Sequence, residues 1–213
     1  MPPRFYLLHG PDEFASAEFL AALKEKMGDP AMASLNTTVF DGRTVTLGEL
    51  RTTCGTMPFL ANRRLVIVEG WLTKLLGKSE ASAEEPQPDS VAAKETLAAL
   101  VEYLPTLPET TALVFVEQRA LPEKNAVLKA AAGGEWAFVK FFDIPKGEAL
   151  VNWIRARAKA EGGVLTREAA QALASVEDDP RALGSEIVKL LTYVDFARPV
   201  EAADVETLTP TGG

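Results

Sequence analysis

Residues 4–14 read RFYLLHGPDEF, an apolar run that ends in a glycine-proline turn and an acidic pair. The run at 4–9 predicts a strand, and the segment from about residue 12 to residue 27 predicts a helix. Gly10 and Pro11 mark the turn between them. The chain therefore opens with a strand that passes directly into a helix, which is how a parallel sheet with crossover helices begins.

The same alternation of strands and helices continues along the chain. Further strands are predicted at 36–40, 65–68, 111–117 and 137–142. Helical patterns lie between them, one opened by a capping box of Thr46 and Glu49 and another at 124–132. Residues 77–90, GKSEASAEEPQPDS, are polar and acidic and predict a mobile surface loop. We therefore predict an α/β domain over residues 1–143, with a parallel sheet and helices on both faces.

The sequence changes in character at residues 143–147, DIPKG, after which no strand is predicted. Three helical patterns follow, at 147–160, 166–176 and 180–195. Asp179 is the predicted N-cap of the last helix, and Pro180 occupies its first position. The segment VEAADVETLTP at 200–210 predicts one further helical turn. Residues 144–213 are thus predicted to form a small all-helical domain.

Composition and charge exclude several classes of protein. The 213 residues carry a net charge of −8 with a pI near 4.9, whereas a protein that grips nucleic acid by itself usually has a basic face. One histidine and one cysteine cannot build a zinc site from those ligands. No apolar run approaches the roughly 20 residues of a membrane span, and the N-terminus is unlike a signal peptide. The single thiol, Cys54, fits a reducing cytoplasm, where we expect the chain to act without contacting a membrane.

The turn at Gly10, Pro11, Asp12 and Glu13 has the outline of a phosphate-binding loop, because it joins a strand to a helix N-terminus. Its chemistry is missing. No G-x-x-x-x-G-K-[ST] motif is present, so the lysine and the hydroxyl that would hold phosphate and Mg²⁺ are absent. Pro11 lacks an N–H, and two carboxylates occupy the positive end of the helix where an anion would bind. We interpret the turn as a degenerate nucleotide loop in which Asp12 and Glu13 cap the helix.

Other candidates for chemistry are weaker. His9 at a strand end and Cys54 in a helix could serve as base and nucleophile, but a packed histidine and a buried thiol are commoner. Solvation rather than metal binding is expected for the acidic cluster of the polar loop, Glu84, Glu85 and Asp89. Core packing is expected for the three tryptophans, Trp71, Trp136 and Trp153.

Residues 56–70, TMPFLANRRLVIVEG, contain a second unusual turn. Residues 65–68 predict a buried strand, but three large apolar side chains, Met57, Phe59 and Leu60, surround Pro58 just before it. Turns normally lie on the surface and are polar. Two explanations are open: these side chains cover the edge of their own sheet, or they are presented to a partner.

Four segments together resemble a known family. They are YLLHGPDEF at 6–14, CGTMPFLANRRLVIVEG at 54–70, DDPRALGSEIVKLLTYV at 178–194 and VEAADVETLTP at 200–210. In this order they are similar to the delta subunit of the bacterial DNA polymerase III clamp loader. The resemblance implies an AAA+-like α/β domain that has lost its nucleotide site, followed by a helical lid domain. The collar domain of the family would begin where this sequence stops, so the chain is expected to represent the first two domains.

The resemblance also implies a function. The family's delta subunit binds the β sliding clamp and opens one interface of that ring, so that it can be loaded on primed DNA. Other subunits bind and hydrolyse ATP, so this chain is expected to be non-catalytic and without a cofactor, although the complex belongs to a DNA-directed DNA polymerase. Expected partners besides the clamp are the gamma/tau and delta prime subunits, reached mainly through the collar, with primed DNA contacted only through the complex. The clamp-binding element corresponds here to Met57, Pro58, Phe59 and Leu60.

Two other functions compete with this one. The strand–turn–helix start alone would also suit a P-loop-like NTPase or nucleotide-binding protein with an atypical loop. A purely structural domain, which binds other loader subunits but not the clamp, is the third possibility.

Overall fold

The computed structural model describes residues 2–76, 90–177 and 179–208. The chain divides into two compact units, Met1–Asp143 and Ile144–Gly213. The predicted polar loop falls outside the described residues except for Ser90, the first residue of a helix, and the acidic cluster of that loop lies outside them as well.

The first unit contains the predicted alternation of strands and helices. Its strands are β1 (Phe5–His9), β2 (Thr37–Asp41), β3 (Arg64–Glu69), β4 (Thr111–Glu117) and β5 (Ala137–Phe141). The helices described in this unit are α1 (Glu13–Glu25), α2 (Pro30–Leu35), α3 (Leu47–Gly55), α4 (Trp71–Leu75), α5 (Ser90–Tyr103) and α6 (Ala126–Ala132), with a 3₁₀ turn at Leu104–Thr106.

The five strands form one sheet in the order β2-β3-β4-β1-β5. Every neighbouring pair is parallel, and Phe5 at the start of β1 lies opposite Leu113 of β4 and Ala137 of β5. Parallel neighbours require crossover connections, which the helices supply. The parallel sheet predicted from the sequence is confirmed.

Alternate residues of β1 belong to the cores on opposite faces of the sheet. Phe5 and Leu7 pack in one core with side chains of α3, α5 and α6, namely Leu50, Leu100 and Val127. Tyr6 and Leu8 pack in the other core with side chains of α1, namely Phe19, Leu20 and Leu23. Because each face is covered by helix, the prediction of helices on both faces is also confirmed.

Two short helices and several boundaries differ from the predictions. Helices α2 and α4 were not predicted, since six and five residues are too few to show an apolar period. The helix predicted at 124–132 begins only at Ala126, because Asn125 is its N-cap and accepts hydrogen bonds from the backbone N–H groups of Val127 and Leu128. Asn36, predicted as the first residue of a strand, lies instead in the C-cap of α2.

The second unit is helical, as predicted. Its described helices are α7 (Glu148–Ala160), α8 (Arg167–Val176), α9 (Pro180–Tyr193) and α10 (Ala202–Leu208). Their core is built by buried aliphatic side chains that include Ile154, Leu173, Ile187 and Leu191. Asp179 accepts a hydrogen bond from the backbone N–H of Ala182 at 3.0 Å, which confirms it as the N-cap of α9. The last helix has seven residues rather than the single turn predicted.

The N-terminus of α10 is fixed by an ion pair. The guanidinium of Arg198 donates to both carboxylate oxygens of Asp204, at 2.7 and 2.8 Å, and the backbone N–H of Glu201 donates to the same carboxylate at 2.9 Å. The Arg198 guanidinium lowers the pKa of Asp204 to about 2. The carboxylate therefore stabilises this helix only in its ionised form.

Candidate functional site

The loop between α3 and β3, residues 56–63, presents apolar side chains to solvent. Met57 is 73% exposed, Phe59 58% and Leu60 78%, while Pro58 is half-buried. Among the described residues, Leu60 and Met57 are the most exposed of the large apolar side chains. The alternative that Met57 and Phe59 cover the edge of their own sheet does not fit side chains this exposed.

Both ends of the loop are tied to the sheet. The hydroxyl of Thr111 donates to the Cys54 carbonyl at 2.7 Å, which fixes the last turn of α3. At the other end, the backbone N–H of Arg64 donates to the Thr110 carbonyl at 2.7 Å. The Arg63 guanidinium donates to the carbonyl of Thr111 at 2.9 Å. The exposed segment is thus a short span between two fixed points.

A buried side chain from outside the loop holds its middle. Asn36 is fully buried, and its side-chain oxygen accepts a hydrogen bond from the backbone N–H of Phe59 at 2.6 Å. Its side-chain nitrogen donates to the Phe59 carbonyl at 2.8 Å and to the Met32 carbonyl at 2.9 Å. Sequence reasoning missed this residue. Its position just before a strand, after a proline-initiated helix, gave no sign that it contacts the loop.

The residue after Phe59 has an unusual backbone. Leu60 has a φ of 49°, in the left-handed region that residues other than glycine and asparagine rarely occupy. That conformation costs about 1–2 kcal/mol for an L-residue. Such strain persists only where neighbouring structure enforces it, and it is concentrated at functional sites. The Leu60 side chain in this conformation is exposed to solvent.

A groove of about 360 Å³ lies beside Leu60. It is lined by residues that include Met27, Met32, Leu60 and Ala61, with Lys26 and Arg63 as cations and Asp29 as an acid. Leu60 therefore borders a surface of mixed apolar and charged side chains.

The predicted degenerate nucleotide loop uses its backbone donors internally. The N–H of Gly10 donates to the Glu117 carbonyl at 3.0 Å, that of Asp12 to the Phe142 carbonyl at 3.1 Å, and that of Glu13 to the Pro11 carbonyl at 3.0 Å. The Asp12 carboxylate accepts from the backbone N–H of Ala15 at 2.9 Å and caps α1. A phosphate site needs such N–H groups free and convergent.

Close packing explains the glycine in this loop. Gly10 has a φ of +131°, and a Cβ on it would lie 2.1 Å from the carbonyl oxygen of Phe142. Only a residue without a side chain fits against that backbone. The glycine is therefore required by the fold, whatever the loop binds.

His9 and Cys54 have separate surroundings that suit packing. His9 is buried, and its Nδ1 accepts the backbone N–H of Leu121 at 3.2 Å. Burial lowers the pKa of His9. Burial raises the pKa of the Cys54 thiol to about 12, and this thiol hydrogen-bonds to Tyr103. A thiol that remains protonated at neutral pH is a poor nucleophile.

The remaining predicted candidates also belong to the cores. Trp71 is buried in the sheet core with Phe115, and Trp136 and Trp153 are partly buried against the cores of their own units. Within residues 2–76, 90–177 and 179–208, no group of three His, Cys, Asp or Glu side chains is placed to hold a metal ion. In those same ranges, no helix combines the length and apolar character needed to cross a bilayer.

Solved structures share this fold. RuvB, the Holliday junction branch migration motor of Thermotoga maritima, matches with a TM-score of 0.56 and 14% sequence identity. The match covers 96% of this chain and 60% of the RuvB chain. The DNA clamp loader delta protein of Bacillus subtilis matches with a TM-score of 0.58 and 22% identity over 98% of this chain and 59% of its own. The chain thus has an AAA+-like fold and spans about three fifths of each of these relatives.

The family follows from the sequence itself. The family model of the DNA polymerase III delta subunit matches residues 6–142, and the chain belongs to that family. No curated protein matches the chain. The matched region contains both the Gly10 turn and the exposed loop at 56–63.

Proposed function

We propose that this chain binds the β sliding clamp through the exposed loop and opens one interface of the ring for loading on primed DNA, without binding ATP itself. The observation that carries the proposal is the exposure of Met57, Phe59 and Leu60 on a loop whose backbone the fold holds in place, in a member of the delta subunit family. We infer that the chain acts in a complex with the gamma/tau and delta prime subunits.

The loop has the features of an apolar plug for a pocket on a partner. Burying one large apolar side chain contributes about 1.5–3 kcal/mol, so Phe59 and Leu60 together can dominate an interface. Because the loop is already fixed in the free chain, little ordering cost is expected on binding. Exposed apolar side chains so close together also have no stabilising role in the chain's own cores.

The proposal that ATP is not bound rests on the Gly10 turn. The N–H groups of Gly10, Asp12 and Glu13 already donate to carbonyls, and Pro11 has none to give. The carboxylate of Asp12 occupies the helix N-terminus, where it would repel a phosphate. ATP binding would therefore fall to other subunits. The net charge of −8 likewise supports indirect rather than direct contact with DNA.

Clamp binding is tested by gel filtration of the chain mixed with its cognate β clamp. We expect the wild-type chain to co-elute with the clamp and the Phe59→Ala/Leu60→Ala variant to elute separately. If the wild type and the variant both co-elute with the clamp, the binding site lies elsewhere on the chain. If the wild type elutes apart from the clamp, clamp binding is contradicted altogether.

Nucleotide binding remains the competing function, favoured only by the strand–turn–helix at Gly10. A titration with a fluorescent ATP analogue in Mg²⁺ tests it. We expect no saturable binding. Micromolar binding that disappears when residues 10–13 are replaced would overturn our interpretation of this loop and support an NTPase-like function.

A further inference from the structure

We propose that Asn36 is a positioning residue for clamp binding: its buried carboxamide fixes the backbone of Phe59, so that Phe59 and Leu60 project from the chain before the partner arrives. This inference rests on the proposed function, since it assigns a role within the same binding loop. Asn36 itself is fully buried and cannot touch the partner.

The carboxamide of Asn36 pairs with the backbone of Phe59 as a neighbouring peptide group would. One oxygen and one nitrogen of the same side chain bind the N–H and the carbonyl of the same residue, at 2.6 and 2.8 Å. An asparagine side chain offers one acceptor and two donors in a plane, and the second donor binds Met32. The three hydrogen bonds use the geometry of an amide, which neither a carboxylate nor a hydroxyl reproduces.

The middle of the loop has few other attachments. Within the part of the chain that the structure describes, residues 57–63 make no backbone-to-backbone hydrogen bond. The attachments at Cys54, Arg63 and Arg64 fix only the ends. The hydrogen bonds from Asn36 are therefore what holds the segment that carries the apolar side chains.

Asn36 is itself rigidly placed. Its backbone N–H donates to the Met32 carbonyl at 3.2 Å, and its carbonyl accepts from the N–H of Leu65 at 2.9 Å. Asn36 thus connects the end of α2 to the start of strand β3. Because the Asn36 backbone is hydrogen-bonded to strand β3, its side chain holds the loop in a fixed position relative to the sheet.

The left-handed backbone at Leu60 shows why a tether is needed. An L-residue at a φ of 49° relaxes to negative φ when nothing enforces that conformation. Without the Asn36 hydrogen bonds, the loop would sample conformations in which Phe59 and Leu60 point in other directions. Only the fraction of molecules in the competent conformation binds, so the apparent affinity falls by the same factor.

The test compares Asn36→Ala with a matched control, Asn125→Ala, in the whole chain. Asn125 is also buried, and its side-chain oxygen accepts hydrogen bonds from two backbone N–H groups, but these bonds cap α6. Amide hydrogen exchange of residues 56–63 is measured in the free chain, and clamp affinity is measured by calorimetry. Asn36→Asp serves as a second variant of the same shape, in which an oxygen replaces the donor to Phe59.

We expect faster exchange at residues 56–63 and about a tenfold rise in Kd for both Asn36 variants. We expect neither change for Asn125→Ala, although all three variants lose thermal stability. If both Asn36 variants bind the clamp with the same Kd as Asn125→Ala, the positioning role of Asn36 is wrong, whereas the proposed clamp binding is unaffected. Failure of the wild-type chain to bind the clamp overturns the proposed function, and the positioning role with it.

Discussion

The side-chain oxygen of Asn36 lies 2.6 Å from the backbone nitrogen of Phe59, and its side-chain nitrogen lies 2.8 Å from the Phe59 carbonyl oxygen. One buried amide thus satisfies both backbone polar groups of a residue that is itself 58% exposed. These two hydrogen bonds fix the backbone of Phe59 and leave its side chain exposed.

Replacing Gly10 with alanine should destabilise the α/β unit severely. The new Cβ would meet the Phe142 carbonyl oxygen at 2.1 Å, and the backbone has a φ of +131°. We expect a loss of about 3 kcal/mol or more in the free energy of unfolding, measured by urea denaturation. Gly28→Ala is the matched control, because Gly28 has a φ of +95° but no atom within 4 Å of the added Cβ.

The control separates backbone strain from steric contact. We expect Gly28→Ala to cost only about 1 kcal/mol. Equal losses in the two variants would show that the Gly10 turn is not packed against Phe142.

The Cys54 thiol should resist modification while the chain is folded. It is fully buried, and burial raises its pKa to about 12, so at pH 8 almost no thiolate is present. We expect a thiol reagent to label Cys54 only in urea, in parallel with the loss of circular dichroism. Rapid labelling of the native chain would contradict this burial and would reopen a nucleophilic role for the residue.

The sequence predicted most of the sheet because its strands are apolar runs bounded by turn residues, as at β3, where Gly70 follows directly. It did not predict α4, since that short helix is stabilised from a distant strand. The Glu117 carboxylate accepts hydrogen bonds from the N–H groups of Leu72 and Thr73, at 2.8 and 3.0 Å. No pattern in residues 71–75 reveals a cap 44 or 45 residues away.

The candidate site was predictable to the same degree. The apolar side chains at 57, 59 and 60 are conspicuous in a turn, so their position could be found from the sequence. The contact between Asn36 and Phe59 could not, because it joins residues 23 positions apart and forms only in the folded chain. A lone asparagine before a strand is also common in loops.

The buried carboxylate of Glu117 should make stability depend on pH. Burial raises its pKa above the ordinary value of 4.5. Between that value and the raised one, the folded state holds a proton that the unfolded state releases, so this contribution to stability is lost as the pH rises through the folded pKa. We expect the free energy of unfolding of Glu117→Gln, relative to wild type, to improve between pH 5 and pH 7.5.

Glu69→Gln is the control for that measurement, because Glu69 ends the neighbouring strand β3 and is exposed. We expect no such trend for it. A constant difference between wild type and Glu117→Gln across this range would show that the Glu117 carboxylate does not titrate differently on folding.

The Asp204 carboxylate should have the opposite pH dependence. Its hydrogen bonds with Arg198 lower its pKa from 3.8 to about 2, so its contribution is present above pH 4 and lost as the pH falls towards 2. We expect the thermal unfolding midpoint of Asp204→Asn to lie below that of wild type at pH 7, with the gap narrowing towards pH 2.5. Glu206→Gln, which changes an exposed residue of the same helix, should show neither effect. A difference between wild type and Asp204→Asn that widens in acid would contradict the ion pair.

Clamp binding through the exposed loop is tested most directly by calorimetric titration of the cognate β clamp into three proteins: wild type, Phe59→Ala/Leu60→Ala, and Val164→Ala/Phe196→Ala. The control pair lies in the helical unit and is comparably exposed, at 55% and 49%. We expect the loop variant to raise Kd by about 100-fold or more, from the lost burial of two large side chains. Neither variant should change the unfolding midpoint, and the control pair should bind as tightly as wild type. Equal Kd values for all three proteins would contradict binding through Phe59 and Leu60.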